Sequence, residues 1–112
     1  MNNLEQLVNE LRERNFTIEM NFKIKGSSGV PYNFEVIVRK GDKLVGVEYL
    51  LDVKSENLLQ VVIKHLDTKI PIIIFCTQSN IAEDFECILK GKIEIARTID
   101  EALLKIERLL RN

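Results

Sequence analysis

Apolar residues recur along this chain with two periods, and the switches between those periods mark out its elements. Leu4, Leu7, Val8 and Leu11 recur at helical spacing between Glu5, Glu10, Arg12 and Glu13, which predicts an opening amphipathic helix that fades near Asn15. Phe16, Ile18, Met20, Phe22 and Ile24 then alternate with Thr17, Glu19, Asn21, Lys23 and Lys25, the period of a half-buried strand. Gly26-Ser27-Ser28-Gly29 breaks it, and Pro31 favours an extended start to the next strand. Tyr32 to Arg39 and Lys43 to Leu51 alternate in the same way on either side of Gly41-Asp42, a two-residue loop whose leading glycine suits a type II′ turn. Three antiparallel strands in a meander are expected.

The turn sets a register. With Lys40 opposite Lys43, counting outward pairs Val38 with Val45, Val36 with Val47, Phe34 with Tyr49 and Glu35 with Glu48. One face of the hairpin is then almost wholly apolar, and the other carries two carboxylates roughly 5 Å apart at Cβ. Like charges so placed destabilise a sheet unless a cation, a shared proton or a basic neighbour offsets them. Glu35 and Glu48 are therefore the first candidates for function.

Beyond the hairpin the helical period returns. Ser55 can cap a helix carrying Leu58, Leu59, Val61, Val62, Ile63 and Leu66, a set too dense for one narrow stripe, which predicts a central helix buried on more than one side. Pro71 to Cys76 is a short continuous apolar run, the pattern of a strand covered on both faces in a parallel part of a sheet. Asn80-x-x-Glu83 has the form of a capping box, Ile81, Phe85, Ile88 and Leu89 make one stripe, and Gly91 can end that helix. Lys92 to Ala96 is a short fifth strand. Thr98-x-x-Glu101 is a second capping box, opening a last helix with Ile99, Ala102, Leu103, Ile106, Leu109 and Leu110 on its buried side. The 112 residues are thus expected to form one α/β domain, residues 1–112, ordered helix, three-strand meander, helix, strand, helix, strand, helix.

Charged residues make up 29% of the chain but nearly balance, with a net charge of −1 and a pI near 5.9, so no global field draws it onto nucleic acid or anionic membrane. A nucleic-acid role needs a local basic patch, for which Lys25, Arg39, Lys40 and Lys43, with Lys23, are the candidates. Alternation scatters them over two faces, where lysines on solvated strand edges also guard against edge-to-edge pairing. Cys76 and Cys87 show no metal-ligand spacing and read as buried thiols of a reducing compartment, a disulfide between them being the lesser reading. Met1-Asn2-Asn3 leads straight into the first helix, so a cytoplasmic protein with no membrane partner is expected. His65, the one histidine, has no ligand or nucleophile partner at useful spacing and reads as a packed or boundary residue. Gly26 to Gly29 lacks the lysine and helix of a phosphate-binding loop and reads as a turn.

Ser28-Gly29 before the second strand, Phe34-Glu35-Val36 within it, Val47-Glu48 on the third and Ile63-Lys64-x-Leu66-Asp67-Thr68 closing the next helix together resemble the restriction-endonuclease-like superfamily. The resemblance is closest to small archaeal proteins near the Mrr and Holliday-junction-resolvase groups, and runs over residues 1–97. It implies an αβββαβ core with a mixed central sheet, extended by αβα at the C-terminus. Members of that superfamily place an acidic residue on the second strand and an acidic-x-lysine triplet on the third, which bind a divalent metal and support phosphodiester hydrolysis. The match carries these roles to Glu35 and Glu48, with Mg²⁺ as the implied cofactor and DNA as the implied partner. Here, however, the triplet is Glu48-Tyr49-Leu50. A leucine can neither stabilise phosphorane charge nor hold a water, so the chemistry is expected to be lost or severely weakened. Glu35, one methylene longer than the family's usual aspartate, would also displace a ligand oxygen from a geometry in which Mg²⁺ tolerates little error.

Three further residues bear on the missing lysine. Asp52-Val53-Lys54 has the triplet spacing but lies past the expected register, which makes Lys54 a loop residue at the start of the helix. Lys23 is placed alongside Glu35 by patterning, either to replace the lysine or, more plainly, to neutralise the carboxylates. Gln60 sits on the helix after the third strand, where relatives carry a supporting glutamine, and as a partly exposed polar group it needs no such role. Glu5 and Glu10 could add a helix-borne acid but read as surface charge. The expected function is a catalytically inactive or severely impaired nuclease-fold domain that binds nucleic acid or a protein partner. The alternatives are a Mg²⁺-dependent DNA endonuclease with a migrated lysine, Lys23 or Lys54, and a structural interaction module or homodimer that makes contact through an exposed Tyr32 or the central hairpin.

Overall fold

Asn2 opens the first helix, α1 (Asn3–Glu13), by accepting a hydrogen bond from the Glu5 amide at 2.7 Å through its side chain. Its far end is a Schellman motif: Asn15 takes a left-handed φ of 68°, its amide donates to Arg12 O, and the Phe16 amide donates to Leu11 O. The computed structural model describes residues 2–51, 55–77 and 93–111. After α1 come β1 (Thr17–Lys25), β2 (Pro31–Lys40), β3 (Lys43–Tyr49), α2 (Ser55–Thr68), β4 (Ile72–Phe75), β5 (Ile93–Ala96) and α3 (Ile99–Leu110). The helix expected between Asn80 and Gly91, Cys87 within it, and the Asp52-Val53-Lys54 triplet lie outside the described residues.

The five strands form one mixed sheet in the order β1-β2-β3-β4-β5, antiparallel through β3 and parallel from β3 to β5. Gly41 has a φ of 63° while Asp42 stays outside the left-handed region, as a type II′ turn requires. α1 and α3 cover one face, burying Leu7, Leu11, Ala102 and Ile106 against Val36, Val38, Val45, Val47, Ile73 and Phe75. α2 covers the other, where Leu58 and Val61 meet Phe34, Ile37, Ile72, Ile74 and Ile95. β4 is buried on both sides, as its unbroken isoleucine run predicts, and each of its side chains contributes about 1.5–3 kcal/mol by leaving water. Thr98 caps α3 by accepting from the Glu101 amide, and the Glu101 carboxylate answers by accepting from the Arg97 amide.

The hairpin register is the one the turn dictates, with Lys40 opposite Lys43, Val38 opposite Val45 and Val36 opposite Val47. The ladder ends there, one step short of Glu35 and Glu48, and the charge of Glu35 still reaches the Glu48 carboxyl. The β1–β2 ladder, by contrast, is interrupted at Asn21 and Glu35, and Asn21 holds a left-handed φ of 49°. Both strands change faces there. Phe16 and Ile18 pack with Val36 and Val38 under α1, whereas Phe22, Ile24, Tyr32 and Phe34 belong to the cluster under α2. Strict alternation would keep them all on one side, so the expected apolar hairpin face loses Phe34. That ring instead lies over Gly46, where a Cβ would stand 2.6 Å from Phe34 Cδ1.

A second correction concerns α2. Leu58 and Val61 are buried, but Leu59, Ile63 and Leu66 are 60%, 47% and 66% exposed, so among the described residues the helix covers one face of the sheet and is not central. Its apolar density reflects a buried stripe beside an exposed one. Among the described residues no helix is long and apolar enough to cross a membrane.

Candidate functional site

Glu48 occupies the penultimate position of β3 and shares its pleat face with Leu44 and Gly46, which places it under α2. Lys64, on the third turn of that helix, reaches down to it. The Lys64 ammonium forms an ion pair with Glu48 Oε1, donates to the Asn33 carbonyl at 2.7 Å, and lies 4.8 Å from the centre of the Phe34 ring. The two side chains are only 15% and 14% exposed, so this is a shielded pair and not a surface bridge. Burial pushes the Glu48 carboxyl above its ordinary value, Lys64 pulls it back, and the negative charge of Glu35 pushes it up again. The cation that the sequence requires beside the two carboxylates is therefore Lys64.

Lys64 was among the residues carrying the family resemblance, but hydrophobic patterning offered no reason to bring it to the hairpin. The signal available was its position: Lys64 and Asp67 stand three residues apart on one turn of α2, and both make bonds to the sheet. Asp67 accepts from the Ser28 amide at 2.9 Å, from Ser28 Oγ at 2.5 Å and from the Tyr32 hydroxyl at 2.9 Å, while its carbonyl accepts from the Ser27 amide. The two Ser28 bonds hold the Asp67 carboxyl below the usual carboxylate range, and the bond to Asp67 pushes the Tyr32 phenol upward. Gly26 permits this approach, because a Cβ there would overlap the Asp67 carboxylate. Tyr32, expected to be exposed, is half-buried and committed to this contact.

The other sequence candidates do not converge on Glu48. Lys23 is exposed and stands opposite Asn33; since Phe22 and Ile24 face α2, the pleat turns Lys23 to the far side of the sheet. Its placement beside Glu35 assumed unbroken alternation, which fails at Asn21. Gln60 is exposed one turn before Lys64. Lys54 lies outside the described residues. Leu50 is half-buried and packs against the α2-side cluster, so apolar contact fills the position of the family's lysine. Glu5 and Glu10 lie on α1, across the sheet from Glu48. His65 is held by its Nδ1 2.8 Å from the Ile70 carbonyl, and Cys76 is a buried free thiol.

The four candidate nucleic-acid cations are dispersed. Arg39 pairs with Glu19, its Nε 3.0 Å from the carboxylate, and lies 5.4 Å from the Phe22 ring centre. Lys40 stands 5.9 Å from the Phe16 ring centre on the α1 side, Lys43 donates to the Arg111 carbonyl at 3.1 Å, and Lys25 is exposed at the end of β1. They form no continuous track for a phosphate backbone.

The nuclease resemblance implies a divalent metal, and the donor set can be tested for it. Among the described residues no three of His, Cys, Asp and Glu converge, and one of the two hairpin carboxylates is already bonded to an ammonium. A dication sharing Glu48 with Lys64 would meet repulsion of about 4 kcal/mol per unit of charge product at about 4 Å and an effective dielectric of about 20. As arranged, the described residues do not fit Mg²⁺.

No family model and no curated protein matches this chain. Among solved structures it is similar to the crystal structure of the protein of unknown function AF1548, with a TM-score of 0.63 and 13% sequence identity over 82% of this chain. The match takes in 55% of that chain, so the present sequence spans about half the length of its structural neighbour. At this identity the likeness shows a shared α/β fold, and nothing of activity passes with it.

Proposed function

We propose that this chain is a restriction-endonuclease-like domain whose acidic site is closed by an internal lysine, and that it binds a partner without cleaving nucleic acid. One observation carries the reading: the Lys64 ammonium is bonded to Glu48, beside Glu35, where a nuclease of this class would need a metal. Leu50 in place of the triplet lysine supports it, since among the described residues no second cation replaces Lys64 in the chemistry if Lys64 is spent on charge neutralisation.

The same ammonium favours a second reading, in which Lys64 is the migrated lysine of a Mg²⁺-dependent endonuclease. The two are separated by incubating plasmid, linear duplex, single-stranded and four-way-junction DNA with the protein in Mg²⁺ or Mn²⁺. No cleavage is expected from the wild type. Cleavage that disappears in both Glu48→Gln and Lys64→Met would overturn the proposal and establish the second reading. The nature of the partner is tested by mobility shift across a salt series. Binding to DNA that weakens as salt rises assigns nucleic acid, and absence of binding even at low salt favours the interaction-module reading.

A further inference from the structure

A cavity of about 220 Å³ opens at the hairpin-turn end of the sheet, on the α1–α3 side, lined by Arg14, Phe16, Lys40, Glu107 and Arg111. It lies across the sheet from Glu48, and nothing about it depends on how that site is read. Three cations from three separate parts of the chain, the end of α1, the end of β2 and the residue after α3, line it together with one carboxylate. The surplus is two positive charges, in a chain whose net charge is −1. Arg14 bonds Glu107 at 2.7 Å and is fixed by it. The Arg111 carbonyl accepts from Lys43, which pins the backbone from which the Arg111 side chain extends. Lys40 stands over the Phe16 ring, and among the described residues neither Lys40 nor Arg111 has an acidic partner.

Helix dipoles account for part of this. Arg14 and Arg111 sit at the C-terminal ends of α1 and α3, where a basic residue is favourable by itself. They do not account for Lys40, which comes from a strand, or for the convergence of all three cations on one open space, which like-charge repulsion opposes. We propose that this cavity binds a phosphate group. The guanidinium groups offer forked donors and the lysine a point charge, the combination that recurs in phosphate recognition. The cavity is smaller than the roughly 300 Å³ at which sites for whole small molecules begin, so it takes the anionic head of a ligand and leaves the remainder outside.

The test is a titration of the full chain with inorganic phosphate against chloride at matched ionic strength, followed by amide chemical shifts. Saturable shifts confined to residues around Phe16, Lys40 and Arg111 are expected for phosphate alone. The exposed double variant Lys40→Gln/Arg111→Gln should weaken binding at least about tenfold, the equivalent of one charge-assisted hydrogen bond. Glu107→Gln, which removes the competing carboxylate, should tighten it. A parallel arm compares an oligonucleotide bearing a 5′-phosphate with the same strand bearing a 5′-hydroxyl. Preference for the phosphorylated strand over inorganic phosphate assigns the ligand to a nucleic-acid end, and the reverse order assigns it to a free or small-molecule phosphate. Equal shifts with chloride, shifts that never saturate, or unchanged affinity in the double variant would overturn the proposal.

Discussion

Lys64 on α2 and Glu48 on β3 form a shielded ion pair, and it is this pair that turns the hairpin's two carboxylates from a conflict into a stable arrangement. The carboxylates are set by strand register, but the cation comes from the next helix, sixteen residues away. The counter-charge at this point of the sheet is therefore a product of helix docking.

Removing the ammonium should be severe. Lys64→Met leaves Glu48 mostly buried beside Glu35 with no counter-charge, and is expected to lower unfolding free energy at pH 7 by about 3 kcal/mol. Adding Glu48→Gln to it should restore much of the loss, because the uncompensated charge is then gone. Urea denaturation of the four species completes the cycle; a single-variant loss below about 1 kcal/mol, the range of exposed pairs, would show that the pair is not shielded.

The same site sets a pH dependence. Glu48 has a folded-state pKa raised above its ordinary 4.5, so its favourable contribution is fully present below that value and is lost as pH rises through the folded-state pKa. Glu48→Gln cannot titrate. The stability difference between wild type and this variant should therefore shift against the wild type between pH 4 and neutrality, which denaturation at a series of pH values measures directly. A flat difference across that window would contradict the raised value.

Asp67 titrates with the opposite sign. Its depressed folded-state pKa means that its contribution is present above the ordinary 3.8 and is lost as pH falls through the lower folded value. Asp67→Asn should destabilise the protein at pH 7, through the Ser28 and Tyr32 bonds, and the gap from wild type should close in strong acid. Thermal melts at pH 7 and below pH 3 compare the two. A gap independent of pH would mean that the charge on Asp67 contributes nothing to holding the β1–β2 turn on α2.

The change of faces at Asn21 and Glu35 is testable through Gly46. Gly46→Ala would drive a Cβ to 2.6 Å from the Phe34 ring and should destabilise by about 1–3 kcal/mol, the range for an overpacked core. Phe34→Leu in the same chain should recover part of that. If Phe34 faced α1, as unbroken alternation predicts, the second substitution would only add its own loss.

Much of this fold is legible in the residues. Gly41-Asp42 specifies the turn and through it the register from Lys40–Lys43 to Val36–Val47. Ile72 to Phe75, apolar at every position, can only be a strand covered on both faces. Thr98-x-x-Glu101 is local chemistry and forms where it is written. In each case the cause lies within a few residues of the effect.

What escaped were consequences of contacts between distant segments. Alternation extrapolates one face along the whole of β1 and so predicts Lys23 beside the carboxylates, and the left-handed Asn21 ends that extrapolation. Apolar density predicts a central α2, but density alone does not encode how many layers cover a helix, and Leu59, Ile63 and Leu66 are exposed. By itself the sequence determined the turn, the strands and the register of the hairpin next to its turn, since these follow from local backbone preference and a period of two. Only the tertiary structure decided that Lys64 answers Glu48, that Asp67 holds Ser28 and Tyr32, and that Phe34 crosses to the α2 face, because each depends on which helix packs where and no local period encodes that.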